Sequence, residues 1–169
     1  MQVKMLIFLA NIVLVFSDNP NSKGMKIALE SNIDTFSIDI NNFKDANSFE
    51  EEILRLIKPY NLELICLAGY MKILSKKFID KFSGKIINIH PSLLPKYKGL
   101  NTHRRVIENM DTISGCTVHY VNENLDDGEI IIQREISIDA DDTENTLADK
   151  ILKEEHIIYP EAIRLVLKK

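Results

Sequence analysis

Asn88 and His90 stand two apart at the end of the apolar run 85–89, so on an extended chain their side chains leave the same face. An amide donor beside an imidazole can hold an oxygen on which negative charge develops, and can move a proton there. A strand-end asparagine that bonds a turn, next to a histidine that is merely hydrogen-bonded, would show the same spacing. The residues that follow narrow the choice. His90-Pro91-Ser92-Leu93-Leu94-Pro95 sets two prolines directly after the histidine, each fixing its own φ, a stiffness that a plain surface connection does not require. Further along, His119 falls within an apolar run, where a hydrogen-bonded core histidine is the ordinary reading. Asp126-Asp127-Gly128 is ordinary turn material on its own. Lys96, Lys98, His103, Arg104 and Arg105 form a local basic cluster, which reads either as a solvated face or as a favourable field for anionic ligands.

These residues need elements to hold them. Residues 10–16 read as a buried strand, residues 23–30 as a helix with Met25, Ala28 and Leu29 on one side, and residues 34–38 as a short strand. A helix over 48–58 carries Phe49, Ile53, Leu56 and Ile57 on one face. A strand over 62–68, a short helix over 76–82 and a strand over 85–89 follow. This β-α-β-α-β-α-β order favours a parallel sheet with helices on both faces and right-handed crossovers. The second half differs. A loop over 91–99 leads to a helix over 102–110 with Thr102 as its expected N-cap, and then to strands at 117–121 and 130–138, expected as an antiparallel pair. Asp141-Asp142-Thr143 caps a long C-terminal helix, expected to bend or break near Tyr159-Pro160.

Composition sets the outer bounds. A chain of 169 residues, 45% hydrophobic and 27% charged, suits one globular domain over 1–169 with an ordinary core. A net charge of −4 argues against a general nucleic-acid coat or a basic membrane-surface protein. Cys66 and Cys116 both sit in apolar runs, as buried free thiols of a reducing cytosol would, and the expected location is cytoplasmic. The apolar segment 5–16 follows Lys4, as in a secretory signal, but Ser17-Asp18-Asn19-Pro20 offers no small-residue cleavage site. The segment is also too short to span a bilayer, and a buried strand is the expectation.

The stretch from Asn88 through Gly99 resembles the signature of folate-dependent formyltransferases. With Leu100-Asn101-Thr102-His103 after it, the chain looks most like the glycinamide ribonucleotide formyltransferases of purine synthesis. Agreement continues in Leu67-Ala68-Gly69-Tyr70-Met71-Lys72-Ile73-Leu74, in Gly115-Cys116-Thr117-Val118-His119-Tyr120-Val121, in Leu125-Asp126-Asp127-Gly128 and in Glu155-His156-Ile157-Ile158-Tyr159-Pro160. The resemblance implies a Rossmann-like formyltransferase fold. It also implies transfer of a formyl group from 10-formyltetrahydrofolate, as co-substrate, to the amine of glycinamide ribonucleotide, with no metal, nucleic acid or membrane involved. Asn88, His90 and Asp126 match the catalytic trio, and Met71, Lys72, Ile73 and Leu74 match a folate-lining segment. Asn88 and Glu155 match nucleotide contacts, and His119 a position close to the site.

The chain also departs from the pattern. The family opens with a strand and a Gly-x-Gly-Ser-Asn phosphate loop, whereas residues 10–19 here already match its second strand and the first glycine is Gly24; an N-terminally truncated domain is expected. Ala46 stands where an Arg for the folate is frequent, and Asp127 where Gly is more common. The extra carboxylate at 127 either adds to the pull on the His90 proton or faces solvent. Rival readings are a folate-binding paralogue with impaired catalysis and the catalytic domain of a methionyl-tRNA formyltransferase. The latter would carry a basic C-terminal domain. A formyltetrahydrofolate deformylase would carry an N-terminal regulatory one.

Overall fold

The computed structural model describes residues 10–168. Residues 5–9 of the expected first strand, and the question of a preceding glycine loop, lie outside them. Eleven principal elements follow in order: β1 (Leu14–Ser17), α1 (Lys23–Glu30), β2 (Asp34–Ser37), α2 (Ala46–Ile57), β3 (Leu64–Leu67), α3 (Lys76–Lys81), β4 (Lys85–His90), α4 (Thr102–Glu108), β5 (Ile113–Tyr120), β6 (Ile130–Ser137) and α5 (Glu144–Leu167). The α/β alternation expected from the sequence is present.

Among the described residues the strands form two sheets rather than one. β1 and β2 pair in parallel, and a four-stranded sheet has the order β3-β4-β5-β6. Only β3–β4 is parallel in the larger sheet; β4–β5 and β5–β6 are both antiparallel. The antiparallel character therefore begins one strand earlier than expected, because β5 starts at Ile113 and runs back along β4.

Helix starts follow local chemistry. Asp45 and Ser48 exchange side-chain and backbone bonds in a capping box that opens α2, and Thr143 with Thr146 does the same for α5. Thr102 does not cap α4 as expected. Asn101 takes that place in a left-handed conformation (φ 55°), and Thr102 is buried in the first turn. Nor does α5 break at Pro160: its 24 residues run unbroken through it. The cost of a lost N–H is offset by anchors on either side. Ile158 and Ala162 are fully buried, and the Tyr159 hydroxyl donates to the carbonyls of Leu67 (2.6 Å) and Ile87 (3.3 Å).

Neighbouring residues of β4 divide the core between two layers. Ile86 packs with Phe49, Ile53 and Ile57 of α2 and Phe78 of α3. Ile87 packs with Val106 of α4 and with Leu147, Ile151, Ile158 and Ala162 of α5. Alternate strand residues face opposite sides, so this split fixes a helix–sheet–helix sandwich and assigns Asn88 and His90 to the Ile86 face. Each fully buried aliphatic side chain stabilises this arrangement by about 1.5–3 kcal/mol relative to exposure. No helix among the described residues is long and apolar enough to cross a membrane.

Candidate active site

Register brings the site together at the end of β4. Asn88 lies opposite His119, and His90 opposite Thr117, so four polar residues share one face of the β4–β5 pair. A register shift between Val118 and His119, where β6 skips a residue, locally re-aims that end of β5. The loop from β5 to β6 then folds over the same face. Gly128 permits this close approach: a Cβ there would stand 1.7 Å from the Tyr120 carbonyl oxygen.

His90 is buried and held from both sides. Its Nε2 lies 2.9 Å from the Tyr97 carbonyl oxygen, and its Nδ1 lies 3.4 Å from Asp126 Oδ2. The Tyr97 carbonyl only accepts, so Nε2 carries the proton that points to it, and Nδ1 faces the Asp126 carboxylate. Tyr97 has φ 56° and Asp126 φ 46°. A left-handed conformation costs a non-glycine residue roughly 1–2 kcal/mol, and the surrounding bonds must hold both residues there. Asp126 is held by the Gly99 N–H, which donates to its Oδ2 at 2.8 Å.

His119 plays a different part. Its Nδ1 lies 2.8 Å from the Tyr120 carbonyl oxygen and must donate to it, while burial pushes its pKa below the ordinary value. The ring is therefore neutral with a lone pair on Nε2, which accepts from Asn88 Nδ2 at 3.3 Å. One amide proton of Asn88 is fixed by this bond. Asp126 Oδ1 lies 3.7 Å from His119 Nε2, so the carboxylate stands between the two imidazoles. Two histidines on one face thus differ in their partners: His90 meets a carbonyl and a carboxylate, and His119 a carbonyl and an amide donor.

The loop after His90 is locked by residues that the sequence did not single out. Thr117, fully buried, donates to the Ser92 carbonyl (2.6 Å) and accepts from the Leu94 N–H (3.1 Å). Gln133 Nε2 reaches both Thr117 Oγ1 (2.8 Å) and the Leu94 carbonyl (2.9 Å), and the Ser92 hydroxyl donates to the Lys96 carbonyl at 2.6 Å. Leu94–Pro95 is cis. The period-two rule that paired Asn88 with His90 would also have paired Thr117 with His119, but placing them opposite β4 needs a register that no local pattern states.

The segment 71–74 divides. Met71 and Ile73 are exposed at 74% and 60%, a pair of large apolar side chains left open to solvent. Leu74 is buried in the core against α2 and α3. Lys72 points to Asp18 (2.5 Å) across the Phe49 ring. Glu155, on α5, is half-buried, and burial raises its pKa. The basic cluster is largely taken up internally: Lys96 pairs with Asp111, Lys98 with Asp127 and Arg104 with Glu144, while Arg105 donates to the carbonyl of Lys98 and covers the Tyr97 ring. It is a braced surface more than an open anion field.

Residues 2–163 match the formyl transferase family. A trifunctional purine biosynthetic protein adenosine-3 from Gallus gallus is 42% identical over 157 residues, 93% of this chain but 16% of that protein. The phosphoribosylglycinamide formyltransferase of Escherichia coli (strain K12) is 38% identical over 146 residues, 86% of this chain and 69% of that one. Among solved structures, phosphoribosylglycinamide formyltransferase from Bacillus halodurans superposes with a TM-score of 0.91 at 32% identity, covering 95% of this chain and 83% of its own. The chain thus spans 12–16% of the trifunctional relatives and most of the smaller ones. With matching sequence, fold and length of agreement, this chain belongs to the formyl transferase family.

Proposed function

We propose that the chain transfers a formyl group from 10-formyltetrahydrofolate to the primary amine of glycinamide ribonucleotide. The observation that carries this reading is the convergence of Asn88, His90 and Asp126, from β4 and from the β5–β6 loop, on one buried point. The names of the relatives, purine biosynthetic proteins and phosphoribosylglycinamide formyltransferases, support the choice of acceptor.

In this reading the amine attacks the formyl carbon, and negative charge develops on the formyl oxygen. The free N–H of Asn88 and the protonated ring of His90 stabilise that oxyanion, and the Asp126 carboxylate favours the charged ring. When the tetrahedral adduct collapses, the bond from the formyl carbon to the folate N10 breaks. N10 gains a proton, for which His90 is the donor, and the amine loses one. The exposed apolar pair Met71 and Ile73 suits the flat pterin and benzoyl rings of the donor, and the half-buried Glu155 carboxylate suits the hydroxyls of a ribose. Purified protein given both substrates is expected to form tetrahydrofolate and formylated ribonucleotide in equal amounts. Folate binding without transfer would favour the binding-only reading, and transfer to methionyl-tRNA instead would replace the acceptor.

A further inference from the structure

Asp127 lies at the surface and pairs with Lys98 rather than with His90. Its carboxylate pairs with Lys98 Nζ, while the Gly99 N–H next to Lys98 donates to Asp126 Oδ2. Two consecutive residues of the loop after β4 therefore grip two consecutive residues of the loop between β5 and β6. The first loop is itself anchored, since Arg105 Nη1 donates to the Lys98 carbonyl at 2.7 Å and the Tyr97 hydroxyl donates to Asp111 at 2.9 Å. The same stretch presents the Tyr97 carbonyl to His90 Nε2. Asp126, in its left-handed conformation, lies outside the regular elements; the Gly99 N–H holds its Oδ2, His90 and His119 stand beside its carboxylate, and Asn122 Nδ2 donates to the Asp127 carbonyl at 3.3 Å.

We propose that Lys98 and Asp127 act as positioning residues, an ionic clasp that keeps the Asp126 carboxylate seated between Gly99 and the two histidines. The clasp rests on the reading of Asp126 as part of the formyl-transfer machinery, but its effect on loop seating is independent of turnover. Lys98 and Asp127 are half-exposed, so the pair is worth little as stability and acts through geometry: it restricts how far the two loops can separate.

The test is amide hydrogen exchange at Gly99, followed by NMR in the full chain, together with steady-state kinetics. Lys98→Ala and Asp127→Ala are each expected to speed Gly99 exchange by about fivefold, the scale of an exposed ion pair, with the amides of β5 unchanged. They are expected to lower kcat by a similar factor with both KM values unchanged. The reversed pair, Lys98→Asp with Asp127→Lys, is expected to restore Gly99 protection and kcat. Unchanged Gly99 exchange in both single variants, or a reversed pair that stays as fast as the singles, overturns the clasp. If the unaltered chain transfers no formyl group, the functional reading falls, and the exchange measurement still decides the clasp.

Discussion

Strands β4 and β1 both carry apolar runs and have different fates. Ile86 and Ile87 of β4 are 5% and 0% exposed, whereas every residue of β1, Leu14-Val15-Phe16-Ser17, is only partly buried. The cysteines repeat the contrast: Cys116 on β5 is fully buried, and Cys66 on β3 is exposed. β4 has strands on both edges and helices on both faces. Among the described residues β1 pairs with β2 alone and β3 with β4 alone. An apolar run thus favours burial, but neighbours on each edge and face deliver it. The catalytic candidates sit in the half where those neighbours are complete, and a site that must hold atoms within a fraction of an ångström needs that support.

The largest effect expected from this contrast is on His90. His90→Ala should lower formyl transfer by about 10³-fold or more, since in the proposed mechanism it removes both an oxyanion donor and the proton donor. Folate affinity, measured by fluorescence quenching, should stay largely intact. Retained turnover would place the chemistry elsewhere. Next comes Asp126→Asn, which keeps the shape and removes the charge. Its expected loss in kcat is about 10²-fold, and a loss below threefold would remove the carboxylate from the proposed mechanism.

Stability should divide along the same line. Ile87→Ala, in the complete half, is expected to cost about 2–5 kcal/mol in urea unfolding, and Val15→Ala, in the half-buried strand, under about 1.5 kcal/mol. Equal costs would break the comparison. The smallest effect is on pH dependence. Burial holds His119 and His103 below the ordinary histidine value of 6.5. As pH falls below 6.5 the unfolded chain takes up their protons before the folded one does, so this share of stability is present above 6.5 and lost on acidification. A Tm that declines from pH 7.5 to 5.5 agrees with this, and His119→Gln should flatten the decline.

Some of the site was legible in the residues alone. The two-residue spacing of Asn88 and His90 on an apolar run dictates a shared face, and the prolines after His90 promise a fixed loop; the structure bears both out. Asp126 was legible only through resemblance. Asp-Asp-Gly is common turn material, and a carboxylate that arrives through a left-handed turn leaves no periodic trace. Thr117, Ser92 and Gln133 were not legible, since what makes them important is who stands opposite. Leu74 belongs to a matched folate-lining run and yet faces the core, because helical and strand periods say nothing of which way an irregular segment turns its side chains. The continuity of α5 through Pro160 was settled by burial on either side of the proline, which local propensity does not include.

Sequence by itself determined the α/β alternation, the Thr143 cap of α5 and the pairing of amide and imidazole on one face, because each depends on residues a few positions apart. Tertiary structure alone decided the register that sets His119 against Asn88, the different partners of the two histidines, and the joining of Lys98 and Gly99 to Asp127 and Asp126. Those depend on groups distant in sequence meeting within hydrogen-bond reach, and only the packed sheet and its loops bring them there.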